Sequence, residues 1–314
     1  MPERKKKILV IKLAALGDFV QAMGPFAAIR AHHPDAHITL LTSPLFIELA
    51  HKTELFDRVW GDSKPRGAAL RRWLALRRML RSGGFERVYD LQTSDRSSFY
   101  RRLFWPGKIP EWSGIARGCS HPHDNPNRDF MHTIERQAEQ LKMAGIEDVP
   151  GPEVIATLSG LDAPLENFGL DEKVALLVVG GAAHRLDKRW PAEKYGLLAG
   201  RLAGQGLTPV LLGNAAESEA MDAIAAACLK ARNLCGQTSF LEIAALARRA
   251  KLAVGNDSGP MHLIAGLGCP SLVLYSQASD PDLCGQRGTR VSYMRRDNLA
   301  DLGVDEVMEK LELA

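Results

Sequence analysis

A chain of 314 residues with 46% hydrophobic and 25% charged side chains has the composition of an ordinary globular protein and enough length for roughly two domains, each with its own core. The net charge of +3 gives no reason to expect a nucleic-acid partner, and no stretch approaches the ~18 apolar residues of a membrane span. Five cysteines, Cys119, Cys228, Cys235, Cys269 and Cys284, form no C-x-x-C pair and leave an odd number, which argues against a disulfide framework and for a cytoplasmic, reducing environment.

The apolar run Ile8-Leu9-Val10-Ile11 suits a strand buried on both faces, and Phe19 to Ala31 reads as the helix after it. Between them Leu16-Gly17-Asp18 places a carboxylate where strand hands over to helix. In a parallel sheet that is the crevice where ligands gather, and Gly17 permits close approach. Asp18 is the first candidate for chemistry, with simple helix capping as the alternative. His37 to Leu41 gives a second strand, so the chain opens as βαβ, but G-x-G-x-x-G is missing and a hydride-transfer reading loses its support.

From Lys64 to Arg81 there are seven basic residues and no acidic one, while Ala69, Trp73, Leu76 and Leu80 recur at helical spacing. This predicts a basic amphipathic helix over 64–81, either a solvated face or a peripheral docking surface for anionic lipid headgroups of the inner membrane or a phosphorylated acceptor. Phe85 to Leu91 reads as a strand that delivers Asp90 and Gln92 to the same crevice, with Arg96 just beyond. Residues 105–128, rich in Pro, Gly, His and Asn, read as a long irregular loop. Its Cys119, His121, His123 and Asp124 lack the paired spacing of a structural zinc site, so no metal is assigned. A helix is predicted from His132 to Ala144 and a linker from Gly151 to Asp171.

The second half restarts the pattern. Val174 to Val179 is an apolar strand, Gly180-Gly181-Ala182-Ala183 a tight loop, and Pro191 opens a helix to about Ala203. Strand, glycine loop and helix start form a phosphate site, because unpaired N–H groups and the helix dipole face the anion; Lys188 and Arg189 lie just before the helix to supply counter-charge. Thr208 to Leu212 is the next strand, leading through Gly213-Asn214 to Glu217. Ser239 and Glu242 form a capping box for a helix to Ala250. Leu252 to Val254 then delivers Gly255-Asn256-Asp257-Ser258-Gly259-Pro260-Met261-His262 into a second strand-to-helix turn. Ser258 and His262 do not match G-x-S-x-G, which argues against a hydrolase nucleophile.

The stretches KILVIKLAALGD, MGPFAAIR, VYDLQTSDRS, DKRWPAEKY, LLGNAAE and GNDSGPMHLIAGLGCPSLVLY, in this order, carry a likeness over most of the chain. The chain resembles glycosyltransferase family 9, the ADP-heptose:lipopolysaccharide heptosyltransferases. The resemblance implies an α/β protein of glycosyltransferase-B architecture, two Rossmann-like domains facing across a cleft. Residues 1–160 would hold a glycolipid acceptor and 172–314 a nucleotide sugar, with the last helix free to pack back on the first domain. It implies inverting, metal-independent transfer of a heptose or related sugar from an ADP-sugar to a lipopolysaccharide-type acceptor, without a cofactor. Carried onto this sequence, Asp18 is the general base, Gly181 and Lys188 contact the donor phosphates, Glu217 the ribose and Thr238 the adenine. Asp257, Ser258, Gly259 and His262 form the sugar and pyrophosphate site, and Gly17, Asp90, Gln92 and Arg96 face the acceptor. Ala14, Ala15, Ala183 and His184 stand where relatives carry hydroxyl side chains, which removes contacts to substrate. A nucleotide-sugar epimerase of the same fold and a non-catalytic sugar-nucleotide binder are the competing readings.

Overall fold

The computed structural model describes residues 5–67, 69–170, 173–181 and 186–312, and the chain divides after Val154 into two compact units. The first unit runs β1 (Lys7–Ile11), α1 (Leu16–Gln21), α2 (Met23–His32), β2 (His37–Thr42), α3 (Ile47–Lys52), β3 (Arg58–Gly61), α4 (Leu70–Ser82), β4 (Arg87–Asp90), α5 (Asp95–Tyr100), β5 (Glu111–Gly114), β6 (His121–Pro122) and α6 (Thr133–Met143). Its strands form one parallel sheet in the order β3-β2-β1-β4-β5-β6. Ile8 to Ile11 are sealed on both faces, which is why the run is uniformly apolar instead of alternating.

The second unit runs β7 (Val174–Val178), α7 (Ala192–Gly204), β8 (Thr208–Leu212), α8 (Ser218–Ala227), β9 (Arg232–Asn233), α9 (Phe240–Arg249), β10 (Leu252–Asn256), α10 (Gly259–Gly266), β11 (Ser271–Tyr275), α11 (Pro281–Cys284), β12 (Val291–Arg295) and α12 (Val304–Glu312). Its sheet, β12-β11-β10-β7-β8-β9, is also parallel and repeats the topology of the first. In each sheet the strand order reverses between the first and fourth strands of the unit, β1 and β4 in one and β7 and β10 in the other. The loops leaving that switch point are where an open α/β sheet binds ligands, and they carry Asp18 and Gln92 in the first unit, and Gly181, Asp257 and Ser258 in the second.

Three sequence expectations change. Residues 105–128 are not one irregular loop: Glu111–Gly114 and His121–Pro122 add two short parallel strands to the sheet, too short to show any period. The helix expected over 64–81 begins only at Leu70, because Lys64 and Gly67 hold left-handed backbone (φ 45° and 50°). The stretch from Phe19 to Ala31 is two helices, and the first begins at Leu16, so Asp18 lies inside its first turn.

The segment after Val154 belongs to the second unit. Ile155, Leu161 and Leu165 are buried, and Arg248 of α9 donates to the carbonyls of Ala156 and Leu158 at 3.2 and 3.1 Å. The last helix, α12, inserts Val307 and Met308 into the core of that unit beside Trp190 and Leu202.

Gly255 shows why one glycine of the second switch point is required. A Cβ there would lie 2.6 Å from Cβ of Val178 on the neighbouring strand and 2.8 Å from Sδ of Met261 on α10. Gly255→Ala should therefore destabilise the protein by about 1–3 kcal/mol through overpacking, read as a lower denaturation midpoint at unchanged m.

Candidate active site

In the first unit the β1–α1 loop is held from beneath. The Gln92 side chain, just past β4, accepts through Oε1 from the backbone N–H groups of Leu13 and Ala14 at 2.7 and 3.1 Å. Asp18, at the third position of α1, accepts through Oδ2 from the Ala15 N–H at 2.9 Å, a carboxylate reaching back to an otherwise orphaned N-terminal donor. The Asp18 side chain makes no other hydrogen bond among the described residues, which leaves Oδ1 unpartnered. Two cations sense its charge. Lys12, buried at the end of β1, donates from Nζ to the Leu91 carbonyl at 3.1 Å; burial pulls its ammonium pKa down while the Asp18 charge raises it. Half-buried Arg136, on α6, is likewise lowered chiefly by burial, and the Asp18 charge acts against that shift.

Asp90 is 0% exposed, so its side chain does not reach a ligand from where it stands; it serves the loop instead. Its Oδ1 accepts from the N–H groups of Gln92 and Thr93 at 3.2 and 3.1 Å, which sets the turn that aims Gln92. Arg96 donates to the Pro65 carbonyl at 3.0 Å and lies 6.0 Å from the Trp73 ring centroid, tying α5 to the approach to α4. Gly17 is buried within α1.

The second unit closes its switch point with charge as well as backbone bonds. Lys188 Nζ lies 2.7 Å from Asp257 Oδ2, and Gln286 Nε2 donates to Asp257 Oδ1 at 3.1 Å. Burial would raise the Asp257 carboxyl, but the hydrogen bond and charge of Lys188, with His262 nearby, bring it below the usual carboxylate value. Asn256 ties the two loops together, its Oδ1 accepting from the Trp190 N–H at 2.9 Å and its Nδ2 donating to the Val179 carbonyl at 2.7 Å. Ser258 caps α10 in extended backbone; its Oγ is buried and has no hydrogen-bond partner among the described residues. Gly259 follows in the first turn of α10, and buried His262 lies one turn further on.

Glu217, buried, accepts from Arg189 at 3.0 Å and from the Asn214 N–H at 2.8 Å, while its Oε2 would lie 2.9 Å from a Cβ on Gly180. The Thr238 loop sits against the same place, since the Gly236 N–H donates to the Gly213 carbonyl at 2.9 Å. Gly181 is half-buried at the end of the described part of its loop; Ala182, Ala183 and His184 lie outside the described residues.

A family model for glycosyltransferase family 9 (heptosyltransferase) matches residues 73–309. The chain belongs to glycosyltransferase family 9. It is 28% identical to lipopolysaccharide heptosyltransferase 2 of Salmonella typhimurium, with 88% of this chain and 84% of that protein covered. To lipopolysaccharide heptosyltransferase 1 of the same organism it is 31% identical, covering 97% and 99%. The solved structure of the E. coli ADP-heptose lipopolysaccharide heptosyltransferase II superimposes with a TM-score of 0.78 at 23% identity over 98% of each chain, which shows the glycosyltransferase-B fold. This family-9 chain is thus a glycosyltransferase.

Most of the residues singled out in the sequence of this glycosyltransferase lie at the two switch points. Those missing from that reading are Lys12, Arg136 and Gln286, while Asn256 was named only as part of its turn and not for the bonds it makes; of the three, only Lys12 carried a local signal, a lysine straight after four buried apolar residues. Cys119, His121 and His123 turn to structural partners: the Gly114 carbonyl at 3.5 Å, Arg87 at 3.2 Å and Glu139 at 2.8 Å respectively. Among the described residues no group of three or more His, Cys, Asp or Glu side chains could hold a metal ion.

Burial pushes the Asp90 carboxyl up to about 7 against the hydrogen bonds and the Lys12 charge that favour its ionised form. A carboxyl raised above its ordinary value of 3.8 binds its proton more tightly in the native state. Its share of stability is therefore whole below about pH 4 and is lost as pH rises through about 7. Asp90→Asn, which keeps an acceptor for Gln92 and Thr93, should flatten that slope. Denaturant unfolding should show the variant gaining on the wild type by up to a few kcal/mol between pH 5 and pH 8, at most ~1.4 kcal/mol per pH unit.

Proposed function

We propose that this enzyme transfers a heptose or closely related sugar, with inversion, from an ADP-sugar to a lipopolysaccharide-type acceptor, with Asp18 as general base and no metal or cofactor. The observation that carries the reading is what each switch point, taken by itself, contains. One presents a carboxylate with a free oxygen, and the other presents Lys188, an unpartnered Ser258 hydroxyl and the N-terminus of α10. A base without an anion site, or an anion site without a base, would fit a binder. The relatives' names supply the sugar and the acceptor class.

In the proposed reaction the acceptor hydroxyl gives its proton to Asp18 Oδ1 as its oxygen attacks the anomeric carbon from the face opposite the pyrophosphate. The bond to the phosphate oxygen breaks and ADP leaves with the negative charge. Lys188 and the α10 N-terminus stabilise that charge where a divalent ion would otherwise be needed. Asp257 aims Lys188, and Glu217 and Thr238 line the nucleoside end.

Incubating the full chain with ADP-heptose, with and without heptose-deficient lipopolysaccharide, tests this. Mass spectrometry should find acceptor one heptose heavier, with ADP released in equal amount and EDTA without effect. Isomerised nucleotide sugar formed without acceptor would establish the epimerase instead.

We also propose that α4 rests on an anionic membrane surface. Leu70 and Leu74 are 67% and 52% exposed beside exposed Arg71, Arg72 and Arg78, and Trp105, 69% exposed, is tied to the helix by Arg77. No helix among the described residues is long and apolar enough to cross a membrane. Binding to anionic vesicles that weakens with salt, and absence of binding to neutral ones, is the expected result.

A further inference from the structure

Gln286 lies between α11 and β12 and is 0% exposed, so its side chain acts only on its neighbours. Both ends of its amide are committed. Oε1 accepts from the Tyr275 hydroxyl at the end of β11, and Nε2 donates to Asp257 Oδ1 at 3.1 Å. Asp257 directly follows β10, the strand paired with β11, and its other oxygen lies 2.7 Å from Lys188 Nζ. Tyr275, Gln286, Asp257 and Lys188 thus form one chain of hydrogen bonds that runs from a buried phenol to an ammonium.

The direction of every bond in that chain is fixed. An ammonium only donates and a carboxylate only accepts, so the amide must turn Nε2 to Asp257 and Oε1 away from it. Oε1 then needs a donor, and burial, which raises the Tyr275 phenol above its ordinary value, keeps the proton there to donate. The backbone is held as well: the Gln286 carbonyl accepts from the Tyr293 hydroxyl, and the Gly285 N–H donates to the Pro281 carbonyl at 2.8 Å. His262 and Ser279 also lie near the Asp257 carboxylate, but Gln286 has the direction of its bond set from both ends. A neutral donor here orients the carboxylate and leaves its charge to Lys188, whereas a second cation would compete for it.

We propose that Gln286 is a positioning residue for the donor: its amide, locked by Tyr275, holds the Asp257 carboxylate in the one orientation that keeps Lys188 aimed at the pyrophosphate. The residue acts on the nucleotide only through Asp257 and Lys188 and touches no substrate itself. This rests on the transferase reading for what Lys188 faces, but not for the chain of bonds that holds it.

Calorimetric titration of ADP and initial-rate kinetics on the full chain test it. Gln286→Met keeps the length of the side chain and removes both polar ends; ADP affinity and kcat should each fall about tenfold, with KM for the acceptor unmoved. Tyr275→Phe removes one hydroxyl from a ring that still fills its place. It should cause a smaller loss of the same kind, about threefold, and it carries the test if the Met variant does not fold. In Lys188→Gln/Asp257→Asn, which has neither the ion pair nor the cation, adding either substitution should change ADP affinity by no more than about twofold. A role in packing alone would weaken ADP binding on that background as much as in the wild type, and that result would overturn the proposal. Wild-type ADP affinity in both Gln286→Met and Tyr275→Phe would overturn it too. Undiminished ADP affinity in Lys188→Gln would instead remove Lys188 from the donor site, and the proposal with it, so failure of the donor reading and failure of the Gln286 role are read from different proteins.

Discussion

Asp18→Asn should yield an enzyme that folds, binds donor and scarcely transfers. The proposed mechanism gives the carboxylate two tasks on one side chain: Oδ2 accepts the Ala15 N–H at the start of α1, and Oδ1, which makes no hydrogen bond among the described residues, takes the proton. Asn keeps an acceptor of the same reach for the Ala15 N–H and gives up only the favourable place of a negative charge in the first turn of α1, worth about 0.3–1 kcal/mol, so the melting temperature should move little. It cannot take a proton from a hydroxyl. General-base catalysis is worth roughly 10²–10⁴ in rate, and kcat should fall by that order while ADP affinity stays at the wild-type value. Asp18→Ala removes the cap as well and should add a stability loss of about 1 kcal/mol to the same loss of rate. If Asp18 were only a cap, the order would reverse: Ala would hurt and Asn would not. Near-normal transfer by the Asn variant to its true acceptor would remove Asp18 from the mechanism.

How much of this was legible in the sequence depended on whether a residue acts within its own turn or across the fold. Asp257 and Ser258 directly follow β10, and Asp18 and Lys188 lie in the strand-to-helix stretches after β1 and β7, so position relative to a strand end is local information. Ser239 and Glu242 likewise form the expected capping box, with the Glu242 N–H donating to Ser239 Oγ at 3.2 Å. Asn256 and Gln286 work differently. Gln286 reaches Asp257 from 29 positions away, and Asn256 bonds to Trp190 and Val179 over 66 and 77 positions. No spacing in the chain announces such contacts. Gln92 illustrates the middle case: the strand before it put it in the right crevice, but its role is to hold the Leu13 and Ala14 amides, and that needed the β1–β4 pairing. Sheet edges were hidden for another reason. β6 and β9 have two residues each, and stretches that short carry no period.

The Lys188–Asp257 pair makes opposite forecasts for stability and for binding, so it can be dissected. The two side chains are 16% and 8% exposed, and 2.7 Å apart they form a largely desolvated ion pair. Lys188→Gln takes from the Asp257 carboxylate its one ion-pair partner and leaves it Gln286 and the nearby His262 and Ser279, and an orphaned buried charge costs about 3–5 kcal/mol, less here because those groups remain and the lysine end is partly wet. The variant should therefore lose a few kcal/mol of stability and, with the cation proposed to face the pyrophosphate gone, at least tenfold in ADP affinity, about 1.4 kcal/mol. Asp257→Asn on that background removes the orphaned charge while an amide oxygen still accepts from Gln286. Stability should return most of the way in Lys188→Gln/Asp257→Asn, with a coupling energy of about 1–3 kcal/mol between the two sites. ADP affinity should not return, because no positive charge has been restored. Denaturant unfolding and calorimetric titration of ADP on the four proteins of the cycle read the two quantities separately. Recovery of both together would mean that Lys188 acts on the donor only by keeping its loop folded, and the counter-charge for the leaving pyrophosphate would have to come from elsewhere in the second unit.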